Sequence, residues 1–191
     1  SKFAFERGAR IVAVSDVTGG IFNGDGLNIP ELMEYVKQNK GVKGFPKSQP
    51  ISNEQLLEVD CDALLPCALE GQIDTHNAEK IKAKLIVEGA NGPVTNAATK
   101  ILERRGIFIA PDVIANGGGV IVSYFEWVQD IMSFFWEEAD VDAKLKGIIL
   151  KAFDNVYKFK QEKNIDMRTA AMAASISRLE KAMLLRGLYP R

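Results

Sequence analysis

Leu85-Ile86-Val87-Glu88-Gly89-Ala90-Asn91-Gly92-Pro93 is a short apolar run that ends in a glycine turn. Ile107-Phe108-Ile109-Ala110-Pro111-Asp112-Val113-Ile114-Ala115-Asn116-Gly117-Gly118-Gly119 repeats that plan. A brief apolar run bounded by turn or polar residues reads as a strand buried on both faces, which is the habit of parallel sheets. Ala63 to Pro66 and Arg10 to Ser15 read the same way. Between the later strands lie helical patterns over Thr75 to Ala83 and Thr95 to Arg105, the rhythm of right-handed crossover units. The fold class expected is therefore α/β, a doubly wound and mostly parallel sheet followed by a helical C-terminal segment.

Upstream of these strands, Ile21 to Leu27 places turn formers between apolar pieces and suggests a small hairpin or tight loop. Asn28 caps a predicted helix whose first turn takes Pro30 and which Gly41 stops. Residues 44–50 read as a loop, and Ser52 with Gln55 makes a capping box. Downstream of Val120 no strand signal remains. Three helices are expected, broken near Glu138 to Asp140 and near Asn164 to Asp166. In the last of them Met172, Ile176, Leu179 and Met183 recur at helical spacing and read as packing, with Gly187 as the stop. This divides the chain into a strand-bearing region, residues 1–137, and a helical region, residues 138–191, that packs back on it.

The 191 residues are 47% apolar, enough to bury a substantial core. Lys plus Arg number 24 against 25 Asp plus Glu, so no basic surface is available to neutralise a run of phosphates, and nucleic acid is not expected as a partner. Cys61 and Cys67 lack the second pair of ligands a structural zinc site needs and read as buried, reduced thiols. Residues 1–8 have neither the apolar core nor the cleavage site of a signal peptide, and the apolar runs are too short to span a bilayer. A reducing cytoplasm fits these features, and no membrane partner is expected.

Chemistry is expected at the strand ends, where ligands of open α/β sheets bind. The strand Ile11 to Ser15 ends on Asp16, placed as a dinucleotide fold places the carboxylate that holds the adenosine ribose; a carboxylate capping the turn Val17-Thr18-Gly19-Gly20 is the competing reading. The glycine fingerprint that accompanies such an acid belongs about 20 residues upstream of it, and no G-x-G-x-x-G precedes Asp16. Ser1 to Gly8 reads as the closing turns of the helix after such a loop, so the first strand and its phosphate loop are expected to lie outside these residues. The glycines after the two quoted strands allow close backbone approach. The amides of Asn91 and Asn116 offer both a donor and an acceptor, which suits a nicotinamide carboxamide.

V-E-G-A-N-G-P (87–93), P-D-V-I-A-N-x-G-G-V (111–120) and V-S-Y-F-E-W-V-Q (122–129), in this order and spacing, resemble the cofactor-binding domain of glutamate dehydrogenases over essentially the whole chain. The resemblance implies a Rossmann-like sheet and a cofactor that is NAD, with NADP possible. By residue it implies that Asp16, with Val17 beside it, meets the adenosine ribose and that Cys67, Ala68 and Gln72 lie around the adenosine half. It places Gly89, Ala90 and Asn91 by the nicotinamide ribose, Asn116 on the nicotinamide amide, and Val120 and Ser123 against the glutamate side chain and its distal carboxylate. Asn116-Gly117-Gly118-Gly119 departs from the family's Asn-Ala-Gly-Gly and loosens the helix start by roughly 0.5 to 1 kcal/mol.

The resemblance further implies a parent enzyme, a homo-oligomer and hexameric in the family's manner, that oxidatively deaminates L-glutamate to 2-oxoglutarate and ammonium. The family's catalytic lysine and aspartate belong to an N-terminal domain with no counterpart here, so no catalytic residue is expected in this chain, and no metal. In a sheet ordered 3-2-1-4-5-6, residues 10–15 would be the second strand and residues 63–66 the fourth, leaving an unfilled position between them. The 191 residues alone are expected to bind NAD weakly and to turn over no glutamate. The alternatives are a non-catalytic nucleotide-binding or assembly module and a dehydrogenase of a branched or aromatic amino acid. Ser123 speaks against the latter, because a hydroxyl is wasted on an apolar side chain.

Overall fold

The computed structural model describes residues 1–187. A short helix, α1 (Lys2–Glu6), precedes a hairpin in which β1 (Ala13–Asp16) turns through Val17-Thr18 into β2 (Gly19–Phe22), with Asp16 opposite Gly19 and Ala13 opposite Phe22. Gly19 holds φ at 132°, a conformation that side chains disfavour. Helix α2 (Ile29–Asn39) follows. Asn28 caps it by accepting from the Glu31 amide at 3.3 Å, Pro30 sits in its first turn, and Lys40 ends it in the left-handed conformation, one residue before the expected Gly41. β3 (Gln49–Ile51) adds antiparallel to β2.

Among the described residues the strand expected at 10–15 pairs only with β2, antiparallel, and forms the half-exposed edge of a sheet ordered β1-β2-β3, its other edge being the one where the first strand is expected. The cause is the connection: a two-residue turn can join only antiparallel neighbours, whereas a parallel pair needs a long crossover. Ile21, Leu27, Ile29, Leu32, Val42 and Phe45 make a core of their own beneath this sheet.

Helix α3 (Asn53–Leu57) carries the predicted capping box in full: Ser52 Oγ accepts from the Gln55 amide at 3.1 Å and Gln55 Oε1 accepts from the Ser52 amide at 2.8 Å. It delivers the chain to β4 (Ala63–Leu64), which pairs in parallel with β5 (Leu85–Val87), itself parallel to β6 (Phe108–Ala110). The order β4-β5-β6 is the one that crossover units dictate. β1 and β4 belong to different sheets, as expected of two strands that are not neighbours.

The crossover from β4 to β5 is not the helix expected over 75–83. Only Ala78–Lys80 makes a 3₁₀ turn. Polar side chains here hydrogen-bond the local backbone in competition with a helix. Asp74 Oδ1 accepts from the His76 amide at 2.8 Å, Asn77 Oδ1 accepts from the Asp74 amide at 3.0 Å, and Asn77 Nδ2 donates to the Gln72 carbonyl at 2.8 Å. The second crossover is helical as expected: α4 (Asn96–Arg104), capped by Thr95.

β6 carries a different core on each face, because successive strand residues alternate sides. Ile107 and Ile109 join Leu64, Ile86, Ile73, Ile81 and Leu102 in the main core against α4. Phe108 points the other way. It packs with Ile114 of α5 (Asp112–Ala115) and with the last two helices, α7 (Glu138–Lys163) and α8 (Met167–Arg186). β6 is therefore covered on both sides, whereas Ala63 of β4 is exposed. Between α5 and α7 in the chain, α6 (Gly118–Met132) runs from the end of α5, and Gly187 closes α8 at φ 80°.

Two expectations of burial fail. Cys67 is exposed and Cys61 half-buried, both as free thiols. The stripe Met172, Ile176, Leu179 and Met183 is about 60% exposed along its length, because α8 buries the opposite face through Met167, Ala170 and Ala171. Phe134 and Phe135 are likewise exposed. Among the described residues no helix is long and apolar enough to cross a membrane.

Candidate functional site

Parallel strands send the loops that follow them to one edge of the sheet. Three such loops therefore converge at the carboxyl ends of β4, β5 and β6: 65–72, 88–93 and 111–117. The first two are stitched together. The amides of Gly89 and Ala90 both donate to the Pro66 carbonyl, at 3.0 and 2.9 Å, and the Gly71 amide donates to the Gly92 carbonyl at 2.9 Å. Cys67 lies directly against Gly89, where a Cβ would stand 2.6 Å from its Sγ. Only glycine leaves that contact unstrained. Cys67, Ala68 and Gln72 are exposed, with Gln72 Nε2 donating to the Glu70 carbonyl at 3.2 Å.

The second and third loops are joined more firmly. Asn116 Nδ2 donates to Asn91 Oδ1 at 2.7 Å, so the two amides singled out in the sequence meet. This bond uses one donor of Asn116 and one acceptor lone pair of Asn91, and leaves the carbonyl of Asn116 and the NH₂ of Asn91 for a ligand. Asn116 ends α5 and α6 opens two residues later, with Val120 and Ser123 one turn apart on an exposed face. Among the described residues Ser123 forms no bond back to its helix, unlike Ser175, whose Oγ donates to the Ala171 carbonyl at 2.8 Å.

Asp16 and Val17 stand apart from these loops, on the hairpin of the antiparallel sheet. Val17 is fully exposed. Asp16 Oδ1 accepts from the Thr18 amide at 2.8 Å and from the Thr18 hydroxyl, and Oδ2 accepts from the Val42 amide at 3.0 Å. The turn-capping reading of Asp16 is thus realised in the geometry, and each oxygen keeps lone-pair capacity for a further donor. Burial pushes this carboxyl up, but the Thr18 hydroxyl and the two amides outweigh it and hold it below the usual aspartate range.

The residues that fix the loops were not legible as site residues. Glu88 is completely buried at the end of β5. Its Oε2 accepts from the Asp112 amide at 2.8 Å, and Arg168 Nη2 donates to both of its oxygens, at 2.6 and 2.7 Å. Asp112 in turn accepts from the Gly92 amide at 2.7 Å and from Arg168 Nη1 at 3.2 Å. Burial lifts the Glu88 carboxyl above the usual glutamate range, against the pull of the Asp112 amide and the Arg168 guanidinium. A charge inside an apolar strand signals a hidden partner. Nothing local signals that the partner lies on α8.

Comparison with known proteins agrees with this architecture. Residues 1–187 match the family model described as Glutamate/Leucine/Phenylalanine/Valine dehydrogenase. The chain belongs to this family. It is 52% identical over 185 residues to a glutamate dehydrogenase of Thermotoga maritima, covering 97% of this chain and 44% of that protein. It is 43% identical over 187 residues to the cryptic catabolic NAD-specific glutamate dehydrogenase GudB of Bacillus subtilis, covering 98% of this chain and again 44% of the relative. Among solved structures, the hetero-hexameric glutamate dehydrogenase of Thermus thermophilus in its leucine-bound form superimposes with a TM-score of 0.91 at 30% identity, covering 99% of this chain and 44% of that one. The chain thus spans less than half the length of the relatives it matches.

Proposed function

We propose that this dehydrogenase-family chain is the cofactor-binding portion of an enzyme that oxidatively deaminates L-glutamate to 2-oxoglutarate and ammonium, with NAD as the preferred acceptor. The observation that carries the proposal is the 2.7 Å bond between Asn116 and Asn91, which sets two amides side by side at the carboxyl ends of adjacent parallel strands. A nicotinamide, when bound, supplies the hydride acceptor. The amides fit such a group, since their mutual bond leaves the carbonyl of Asn116 and the NH₂ of Asn91 for a carboxamide. In this reading Asn116 and Asn91 hold the carboxamide and nearby ribose, Gly89 and Ala90 let the ligand close on the backbone, and Cys67, Ala68 and Gln72 border the adenosine half.

Asp16, beside Val17, would accept from the ribose hydroxyls, and its ionised carboxylate would repel a 2′-phosphate. NADP is accordingly the poorer cofactor. Val120 and Ser123 face the substrate, the serine donating to its distal carboxylate, and this favours glutamate over an apolar amino acid. We divide the chain into a strand-bearing region, residues 1–137, and a helical region, residues 138–191, whose described helices α7 and α8 pack on Phe108. Its exposed stripe on α8 would be covered in the assembled enzyme, which we take to be a hexameric oligomer of the reducing cytoplasm. The test is steady-state kinetics of the full-length polypeptide on glutamate, leucine and phenylalanine with each cofactor. The reading requires the highest kcat/KM for glutamate with NAD. Equal efficiency with NADP would remove Asp16 as the determinant, and no activity on any of these amino acids would favour a non-catalytic nucleotide-binding module.

A further inference from the structure

We infer that Arg168 is a positioning residue for the cofactor: through Glu88 and Asp112 its guanidinium clamps together the two loops that carry Asn91 and Asn116. The inference rests on the dinucleotide reading above and assigns that site a component on a distant element. Arg168 lies in the first turn of α8, far from both loops in sequence. That turn is fixed in place. Asp166 caps it by accepting from the Thr169 amide at 2.7 Å, and Met167, Ala170 and Ala171 are buried against the sheet beside Phe108. The small side chains of Ala170 and Ala171 allow α8 close enough for the guanidinium to reach the strand ends.

What it reaches is the junction of the two loops. Nη2 spans both oxygens of Glu88, the residue that opens the 88–93 loop, while Nη1 donates to Asp112, the residue that opens α5 and leads to Asn116. The same two carboxylates already cross-link the loops through the Asp112 and Gly92 amides. Without the guanidinium the two carboxylates lose the cation they share, and the repulsion between them favours proton uptake by one of them, which removes the tie from the loops to α8. Arg168 Nε is buried with no hydrogen-bond partner, so the side chain is committed through its two terminal nitrogens alone. A planar fork meets two carboxylates at once; an ammonium does so only as a point charge. Asn91 and Asn116 touch each other, but among the described residues no other bond holds either side chain, which leaves the clamp to set their register.

The alternative is that Arg168 merely ties α8 to the sheet, and the experiment separates the two. In the full-length polypeptide, Arg168→Met, Arg168→Lys and Leu102→Ala are compared for melting temperature, for NADH affinity by fluorescence titration well below every melting transition, and for KM of NAD against KM of glutamate. Leu102 is fully buried in the core on the opposite face of the sheet, so its truncation destabilises without touching the loops. The expected result is NADH affinity weakened by about tenfold or more in Arg168→Met, because sub-ångström misplacement of binding groups is costly. Arg168→Lys should keep most of the melting temperature but recover only part of the affinity, and Leu102→Ala should bind NADH within about twofold of wild type. Should either Arg168 variant bind like wild type, or Leu102→Ala lose affinity as Arg168→Met does, the positioning role is overturned while the dinucleotide reading stands. Wild-type protein that binds no NADH overturns that reading and this inference with it.

Discussion

Replacing Glu88 by Gln tests the buried ion pair with almost no change of shape. The amide oxygen can take the place of Oε2 and still accept from the Asp112 amide, so that bond survives. The amide nitrogen then occupies the place of Oε1, now 2.6 Å from Arg168 Nη2, where donor meets donor. Breaking a buried pair by neutralising one partner costs about 3 to 5 kcal/mol, most of it from the charge left uncompensated. Arg168 keeps Asp112 and its side chain is 22% exposed, which places the expected loss at the lower end, about 3 kcal/mol. For a unit of this size that corresponds to a fall of about 6 to 12 °C in melting temperature. Calorimetry of wild type, Glu88→Gln, Arg168→Met and the double variant gives the coupling directly. The double variant should lose less than the sum of the singles, because it removes the stranded charge. A loss under about 1 kcal/mol for Glu88→Gln, or strict additivity, would refute the claim that the pair acts as a desolvated unit.

Three further outcomes follow from particular contacts. Ser123→Ala should lower kcat/KM for glutamate by about 10- to 150-fold while NADH affinity stays near wild type, since the lost hydrogen bond goes to a charged group worth about 1.5 to 3 kcal/mol; unchanged kinetics would place the hydroxyl outside the substrate. Gly89→Ala should force the Cys67 thiol from its rotamer and weaken NAD binding, and Cys67→Ala in the same chain should restore much of it, because the 2.6 Å clash is with Sγ; equal binding in the single and double variants would show that the thiol yields freely. At Asp166, burial raises the carboxyl but the Thr169 hydroxyl and nearby amides more than offset it, so the folded pKa lies below the unfolded one. That stabilisation is present above the ordinary aspartate value and is lost as pH falls through the depressed one. Asp166→Asn retains a good cap and should therefore flatten the fall in melting temperature as pH drops below the ordinary aspartate value; an unaltered pH profile would refute the assignment.

Local chemistry was the legible part of the sequence. Asn28 with Pro30, Ser52 with Gln55, and Thr95 each act within a few residues of themselves, and the caps form as their spacing dictates. The three later strands were legible because each is an unbroken apolar run, although in β4 only Leu64 is buried. Residues 10–15 look the same in composition, yet a two-residue turn makes them antiparallel, and an apolar run carries no record of direction. The helix expected at 75–83 fails for a reason written in the chain: Asp74 and Asn77 compete for the backbone. At the candidate site, Asn91 and Asn116 stood out because each follows a strand into a glycine turn, and the fold brings these two amides together. Arg168 was not, since an arginine in the first turn of a helix looks like any solvated cation until the fold brings Glu88 beneath it. The stripe on α8 shows the converse error. Helical periodicity reveals that one face is apolar and says nothing about whether this chain covers it.

The two-sided strand β6 bears on how the molecule comes apart. Ile107 and Ile109 belong to one core and Phe108 to the other, so the parallel sheet and the paired helices α7 and α8 share a single short strand as their common wall. Loosening either side strips support from that wall and exposes the other, and the amides of these elements should exchange with solvent together, in one slow class. The hairpin sheet with α2 has no residue in either of those cores. Its link to the main core runs through α3, whose Leu56 and Leu57 pack there, so its amides should form a second, faster-exchanging class in which Asp16 opens before Asn91 and Asn116.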